Sequence, residues 1–130
     1  MYTKTTHDIT VTVQPFYMEN QSNPDDNLYV WAYHVAIENN SDEPVLLKDR
    51  HWFITDVEGR QQEVHGKGVV GEQPLIEPGR CFEYMSGTPL RAPSGMMLGK
   101  YDMFTPTGKK LEISIPAFSL DSPHQKPDIN

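Results

Sequence analysis

Hydrophobic and polar residues alternate along most of the chain, which is the pattern of β-strands that bury one face. The longest run is LYVWAYHVAIE at residues 28–38, where apolar side chains occupy every second position from Tyr29 to Ile37. Residues 7–13 (HDITVTV) and 81–86 (CFEYMS) alternate in the same way. No window repeats its apolar residues with the period of a helix. The pattern therefore predicts a chain built almost wholly of strands.

Turn-forming sequences separate these strands. They are NNSDEP at residues 39–44, EGR at 58–60, Pro78-Gly79 and TPTG at 105–108. The last of them is expected to join residues 97–105 and 109–115 as a hairpin. Within the strand at residues 45–56 the alternation slips at Lys48 to Arg50, which indicates a β-bulge or a strand that changes sheets.

Seven or eight short strands at this spacing are typical of an antiparallel, immunoglobulin-like β-sandwich, so the predicted fold class is all-β. The two cysteines that mark antibody domains are missing, because Cys81 is the single cysteine. We expect one domain over residues 1–124. Residues 121–130 form a polar segment with two prolines, predicted to be a frayed tail.

The charge of the chain narrows the classes of partner. The 130 residues carry 11 Lys and Arg against 18 Asp and Glu, for a net charge of −7. The first 47 residues hold one base and seven acids, so most of this charge lies there. An acidic chain repels the nucleic-acid backbone, and no nucleic-acid partner is expected. Without a long apolar stretch or a signal-peptide pattern, we expect no membrane insertion and a cytoplasmic location.

A glycine-rich string, GKGVVG at residues 66–71, is the sharpest local motif. Its G-x-G-x-x-G spacing occurs in dinucleotide-binding folds, where a helix must follow, but Pro74 and Pro78 prevent a helix here. Two interpretations stay open. The glycines can supply positive φ in an irregular loop that crosses between two sheets. Alternatively, the loop can offer N–H groups and a cation to a pyrophosphate or nucleotide; the candidate residues are His65, Gly66, Lys67, Gly68 and Gly71.

The remaining polar residues form no recognisable catalytic or metal-binding pattern. The five histidines, at positions 7, 34, 51, 65 and 124, have no metal-ligand spacing. The sequence Asp25-Asp26-Asn27 is rich in oxygen ligands and superficially suggests a cation site, but it is also a good turn sequence. Cys81 has no partner histidine nearby in the sequence and is expected to pack as a small hydrophobic residue. We therefore predict no enzymatic activity, no metal site and no cofactor.

The methionine, leucine and aromatic residues at positions 96–104 are more numerous than one strand face can bury. Met96 and Met97 stand together before Leu98, and we predict an exposed apolar surface there that binds a protein partner. Core packing with one solvated methionine is the alternative. An uncovered edge strand would also allow a homodimer.

Several segments together resemble the ApaG (CorD) family, from about residue 3 to Leu120. They are HDITV at 7–11, YVWAY at 29–33, RHW at 50–52, ITD at 54–56, GKGVVGEQP at 66–74, PG at 78–79, FEY at 82–84, PSG at 93–95 and IPAFSL at 115–120. The resemblance implies a fibronectin type III-like ApaG domain in a small bacterial cytoplasmic protein, linked to cobalt resistance and magnesium efflux. It supplies no catalytic residues, and related eukaryotic domains serve protein interaction.

Three hypotheses of function follow from these residues and this resemblance. The leading hypothesis is a non-enzymatic interaction module that acts on divalent-cation homeostasis through a protein partner. The alternative is a small-ligand binder that holds a pyrophosphate or nucleotide at the glycine-rich loop. Direct binding of cobalt or magnesium at residues 25–27 is a third hypothesis.

Overall fold

The structure, a computed structural model, describes residues 1–124 of the chain. In this part the chain forms nine strands and two single-turn 3₁₀ helices, Glu19–Gln21 and Pro24–Asp26. The strands are β1 Tyr2–Thr6, β2 Ile9–Tyr17, β3 Tyr29–Asn39, β4 Val45–Asp56, β5 Gln61–Lys67, β6 Leu75–Ile76, β7 Cys81–Leu90, β8 Ser94–Phe104 and β9 Lys110–Asp121.

The strands form two antiparallel sheets that pack face to face. The first sheet has the order β1-β2-β3-β7, and the second has the order β5-β4-β8-β9 with the short β6 also paired to β4. The predicted antiparallel β-sandwich is thus confirmed, with nine strands in the described residues where seven or eight were expected. The predicted strand at residues 7–13 is divided, because His7 and Asp8 form a turn with φ of 50° and 63° that joins β1 to β2. Strand β1 was not predicted from the sequence. Its middle residues, Thr3 to Thr5, are all exposed, so they show no alternation of buried and exposed positions.

Alternation places one face of each long strand in the core. In β3 every second residue from Tyr29 to Ile37 is buried, as the sequence predicts. The centre of the core is aromatic: the fully buried Phe118 ring lies 6.0 Å from the ring of Tyr33 and 5.9 Å from that of Trp52. Tyr33 belongs to the first sheet and Trp52 to the second, so Phe118 connects the two layers.

A β-bulge at Lys48 changes which side chains of β4 face the core. Leu47 pairs with Met103 but Asp49 pairs with Asp102, so Lys48 is an extra residue, and the predicted bulge is confirmed. One extra residue shifts the period-2 pattern by one position. After the bulge, Trp52, Ile54 and Asp56 are buried and alternate with more exposed residues, and the half-buried Arg50 lies two positions before Trp52 on the same face. Arg50 is therefore a charged residue on the inner face of a strand.

The C-terminal hairpin also follows the sequence prediction. β8 and β9 pair across the turn at residues 105–108, where Gly108 donates its backbone N–H to the Thr105 carbonyl. Asp121 ends β9, and the buried Ser122 donates its N–H to the Pro93 carbonyl. The start of the predicted frayed tail is thus held against the sandwich. Residues 125–130 lie outside the described residues.

A buried carboxylate closes the hairpin between β4 and β5. Asp56 accepts hydrogen bonds from the N–H groups of Glu58 and Arg60 at 2.9 and 3.1 Å and from Arg60 Nε at 2.7 Å. Burial raises the pKa of Asp56, but these hydrogen bonds and the charge of Arg60 outweigh burial and hold the pKa below its ordinary value. The ionised form thus stabilises the folded state.

The substitution Asp56→Asn is expected to lower the free energy of unfolding by about 1–3 kcal/mol near neutral pH, because an amide nitrogen cannot accept from these donors. The folded-state pKa is lowered, so the contribution of Asp56 is present above the unfolded-state value of about 3.9 and is lost as pH falls through the folded-state pKa. Urea unfolding of both proteins at about pH 7 and about pH 2 measures this. The difference in free energy of unfolding between wild type and Asp56→Asn should be smaller at the acidic pH. Glu58→Gln, which alters an exposed carboxylate beside Arg60, is the control and should change stability by less than about 0.5 kcal/mol. An equal effect of the two variants would contradict this role for Asp56.

Candidate functional site

The glycine-rich loop, residues 66–73, is closed by its own hydrogen bonds. Gly68 donates its N–H to the Lys48 carbonyl at 2.7 Å. Val69 and Glu72 exchange backbone hydrogen bonds of 2.8 and 2.9 Å, and the Val69 side chain is fully buried. The N–H groups of Gly68 and Val69 are thus already used within the protein. The loop also stays on the second sheet, because β5 and β6 both pair with β4, so the expected crossing between sheets is wrong.

The glycines of this loop have different physical roles. Gly68 and Gly71 have φ of +59° and +82°, a region that side chains disfavour. A Cβ on Gly68 would lie 1.9 Å from the Glu72 carbonyl oxygen, whereas a Cβ on Gly71 would meet nothing within 4 Å. A Cβ on Gly66 would lie 2.8 Å from the Arg50 guanidinium. Gly66 therefore provides space for Arg50.

The two predicted cationic neighbours of the loop, His65 and Lys67, lie on the exposed face of β5. Both are exposed, whereas Val64 and Gly66, which alternate with them along the strand, are half-buried. The His65 ring lies 5.1 Å from the ring of His51, on the outer surface of the second sheet. The structure therefore does not bring His65 and Lys67 together with the inner residues of the loop.

Arg50 occupies the inner side of the same loop. Its Nη1 donates to the carbonyls of Lys67 at 3.1 Å and Gly68 at 2.9 Å. The guanidinium borders a cavity of about 150 Å³ between the two sheets, here called the Arg50 cavity. Its lining residues are Tyr33, Arg50, Trp52, Val69, Val70, Gly71, Tyr84 and Ser86. A second cavity of about 130 Å³ shares Tyr33, Arg50, Trp52 and Ser86 with it.

Tyrosine residues lie near Arg50 on both sheets: Tyr33 and Tyr84 line the Arg50 cavity, and Tyr101 pairs with Arg50 across β4 and β8. Tyr84 and Tyr101 share a buried hydrogen bond of 2.5 Å between their hydroxyls. Burial raises the pKa of Tyr84, Tyr101 and Tyr33, and the nearby charge of Arg50 only partly opposes this. These hydroxyls consequently stay protonated at neutral pH and keep their ability to donate a hydrogen bond.

An exposed apolar surface lies on the opposite side of the second sheet. Its members are Phe53, Met96 and Leu98, which are 39%, 47% and 44% exposed and are here called the outer patch. Phe53 pairs directly with Leu98, and Thr55 pairs with Met96, so the patch spans β4 and β8. Met97, predicted to belong to the partner surface, is only 1% exposed and packs in the core. It was misplaced because adjacent residues of a strand point to opposite faces.

Polar pairs border the outer patch. The His51 ring lies 4.5 Å from the Phe53 ring, and His51 Nε2 lies 2.5 Å from Glu63 Oε1. On the neighbouring strands, Lys100 Nζ lies 2.8 Å from Glu112 Oε1. An apolar centre with a polar margin is the usual composition of a protein-binding surface.

The other histidines lie at separate places. His34 pairs with Glu83 and His124 with Glu19, each at 3.2 Å, and His7 is in the first turn. Asp26 accepts from the Asn23 amide at 2.8 Å, within the turn that its sequence predicts. Across residues 1–124 there is no group of three or more His, Cys, Asp or Glu that could hold a metal ion. Within the same part of the chain, no helix is long and apolar enough to cross a membrane.

Cys81 does not pack as a small hydrophobic residue, so that expectation was wrong. It is exposed, because the alternation of β7 buries Tyr84 on one face and turns Cys81, Glu83 and Met85 outward. Burial and the neighbouring Glu83 and Glu38 carboxylates raise the pKa of its thiol. A thiol of this kind is less reactive than an ordinary one.

This architecture matches a known family. The ApaG domain profile covers residues 19–105 of the chain. The Protein ApaG of Paramagnetospirillum magneticum is 58% identical over the full length of both chains. The chain belongs to the ApaG family. A second ApaG protein, from Parvibaculum lavamentivorans, is 60% identical over 97% of each chain.

Solved structures agree with the ApaG assignment. The putative ApaA protein from Bordetella pertussis shares 47% identity, with a TM-score of 0.86 over 91% of this chain and 96% of that one. The C-terminal domain of wzt is similar at a TM-score of 0.58 but only 10% identity, over 96% of this chain and 79% of that one, which shows a shared fold alone.

Phe53 and Arg50 were absent from the candidate residues of the sequence prediction, and Leu98 was named there only as the neighbour of Met96 and Met97. Whether one or both faces of a strand are buried is decided by the neighbouring sheet, so alternation alone did not show that Phe53 is exposed. The sequence did contain a signal for Arg50, namely the break in alternation beside it and the glycine at position 66. Recognising that signal required the pairing of Arg50 with Gly66 across β4 and β5.

Proposed function

We propose that the chain is a non-enzymatic ApaG-family interaction module that binds a protein partner through the outer patch. The observation that carries the proposal is the exposure of Phe53, Met96 and Leu98 side by side on paired strands. A partner that covers them would remove apolar area from water, worth roughly 25 cal/mol per Å² before the costs of association.

The cellular setting of this proposal comes from the family. We propose a cytoplasmic protein whose partner takes part in divalent-cation homeostasis, including cobalt resistance and magnesium efflux. Family resemblance supports this setting. The chain would act on cation levels through its partner, with no metal of its own.

The double variant Phe53→Asp/Leu98→Asp is expected to lose partner binding, because charges replace two apolar side chains at the centre of the outer patch. The loss of a single central contact of about 2 kcal/mol lowers affinity by about 30-fold, so the double variant should lose at least that much. The measurement compares the proteins retained by immobilised wild type and variant, followed by titration of the purified partner against each.

Phe16→Asp is the matched control. Phe16 is 42% exposed, but it lies in β2 on the first sheet, away from the outer patch. A partner retained by this control and lost from the double variant supports the proposal. Equal retention by all three proteins, or equal loss from both variants, contradicts it.

Self-association is tested with the same variants. Sedimentation over a range of concentrations would show whether a second copy of the chain is the occupant of the outer patch. A dimer that persists in Phe53→Asp/Leu98→Asp would assign dimerisation to another surface, such as an edge strand.

The alternative function, binding of a phosphate-containing ligand, is favoured by a different observation. The charge that faces the inner side of the glycine-rich loop belongs to Arg50, whose Nη1 lies 2.9 Å from the Gly68 carbonyl oxygen. In this alternative, Arg50 would be the principal cationic ligand, with His65 and Lys67 outside the site.

A further inference from the structure

Arg50 carries a charge that the described protein does not neutralise. No carboxylate of residues 1–124 lies within 4.0 Å of its guanidinium, although Arg60, Lys100 and Lys110 each have such a partner. Its Nη1 donates to two backbone carbonyls, whereas Nε and Nη2 donate to no acceptor in residues 1–124. The Arg50 side chain is only half-buried, so these unpaired N–H groups can donate to a ligand that enters from solvent.

The surroundings of the guanidinium offer further donors and no competing anion. The Arg50 cavity is lined by the hydroxyl-bearing residues Tyr33, Tyr84 and Ser86, and no acidic residue lines it. Trp52 and Val69 form an apolar part of the wall and are 2% and 0% exposed. Charge-assisted hydrogen bonds from a guanidinium are stronger than hydrogen bonds between neutral groups. This combination of groups selects a negatively charged ligand.

The size of the cavity limits that ligand. Sites for drug-sized molecules occupy about 300–1,000 Å³, whereas the Arg50 cavity measures about 150 Å³. Val70 and Gly71, both exposed, lie at its edge, and their N–H groups donate to no acceptor in the described part of the chain. We propose that the Arg50 cavity binds a small oxyanion, of the size of phosphate or a carboxylate, held by the Arg50 guanidinium. A whole nucleotide is too large for this cavity.

The position of the guanidinium depends on Gly66. These two residues are directly paired across β4 and β5, and a Cβ at position 66 would meet Cζ, Nη1 and Nη2 of Arg50 at 2.8 Å each. The backbone of Gly66 is not in the left-handed region, so alanine is conformationally acceptable there. Gly66→Ala thus moves the guanidinium while keeping every polar group of the site.

The test is an amide-shift titration of the isotopically labelled full chain with sodium phosphate and, separately, with sodium acetate. Sodium chloride at equal ionic strength is the reference, in a buffer without phosphate or carboxylate. We expect saturable shifts at Gly71, Ser86 and the Arg50 Nε–H with at least one of the two anions by about 10 mM. The anion that saturates first identifies the oxyanion class. Absence of saturation with both anions would overturn the proposal.

Variants show whether Arg50 is responsible. Arg50→Gln and Gly66→Ala should each weaken binding at least about 10-fold, because charge-assisted hydrogen bonds contribute most of the affinity. Arg91→Gln removes an exposed arginine outside the Arg50 cavity and should leave the titration unchanged. If Arg50→Gln does not fold, Gly66→Ala and Arg50→Lys decide the result. Undiminished binding in the folded variants would overturn the assignment to Arg50.

Discussion

Replacing Gly68 by alanine is expected to lower the free energy of unfolding by about 3 kcal/mol or more. Its φ of +59° disfavours any side chain, and the added Cβ would lie 1.9 Å from the backbone carbonyl oxygen of Glu72. The hydrogen bonds that close the loop, between Val69 and Glu72, would have to break or move to relieve this contact. Urea denaturation measured by tryptophan fluorescence would give the change, with an unchanged slope showing that the cooperative transition is retained.

Gly71→Ala separates the cost of backbone conformation from the cost of the close approach. Gly71 also has positive φ, +82°, but its Cβ would meet nothing within 4 Å. Its replacement should cost only about 1–2 kcal/mol, the penalty of the left-handed region for an L-residue. Equal losses at the two positions would mean that the loop adapts to a Cβ at Gly68, contrary to the geometry. A much larger loss at Gly68 than at Gly71 would show that Gly68 is needed for the structure of the loop, without any bound phosphate.

The fold was predictable because its information is local. Period-2 alternation marked β3 and β7, a turn sequence marked the hairpin of β8 and β9, and the slip at Lys48 marked the bulge. Strand β1 was the exception, since it contributes almost no buried residue and pairs with β2 through its backbone. Its neighbouring turn contains no glycine, so nothing in the composition of residues 2–8 indicates a hairpin.

The candidate sites were less predictable because they depend on contacts between distant residues. Met96 and Met97 are neighbours of the same residue type, yet Met96 is 47% exposed and Met97 only 1%. Alternation predicts that they lie on opposite faces of the strand, but it does not say which of them faces the core. The glycine-rich motif drew attention to His65 and Lys67, which lie on the outer face of β5. The cation on the inner side, Arg50, is 16 positions away from Gly66 in the sequence and directly opposite it in the sheet.

Truncating the core at Phe118 is expected to have the other large effect. Phe118→Ala should lower the free energy of unfolding by about 3–5 kcal/mol, the usual cost of removing a buried aromatic side chain. Phe118 is fully buried, and its ring lies within 6.0 Å of the rings of Tyr2, Tyr33 and Trp52. These contacts join β1 and β3 of the first sheet to β4 of the second, so the cavity would open between the two layers. Urea denaturation at neutral pH measures the loss.

Phe53→Ala is the matched control, because it removes the same atoms from a ring of the outer patch that is 39% exposed. Its replacement removes the cross-strand contact with Leu98 and the contact with the His51 ring on the same strand, and should cost about 1 kcal/mol, well below the loss at Phe118. Comparable losses at Phe53 and Phe118 would contradict the division between core and outer patch. The expected pair of results, a strongly destabilised Phe118→Ala and a mildly destabilised Phe53→Ala with weakened partner binding, would separate the aromatic residues that hold the sandwich together from the one that faces a partner.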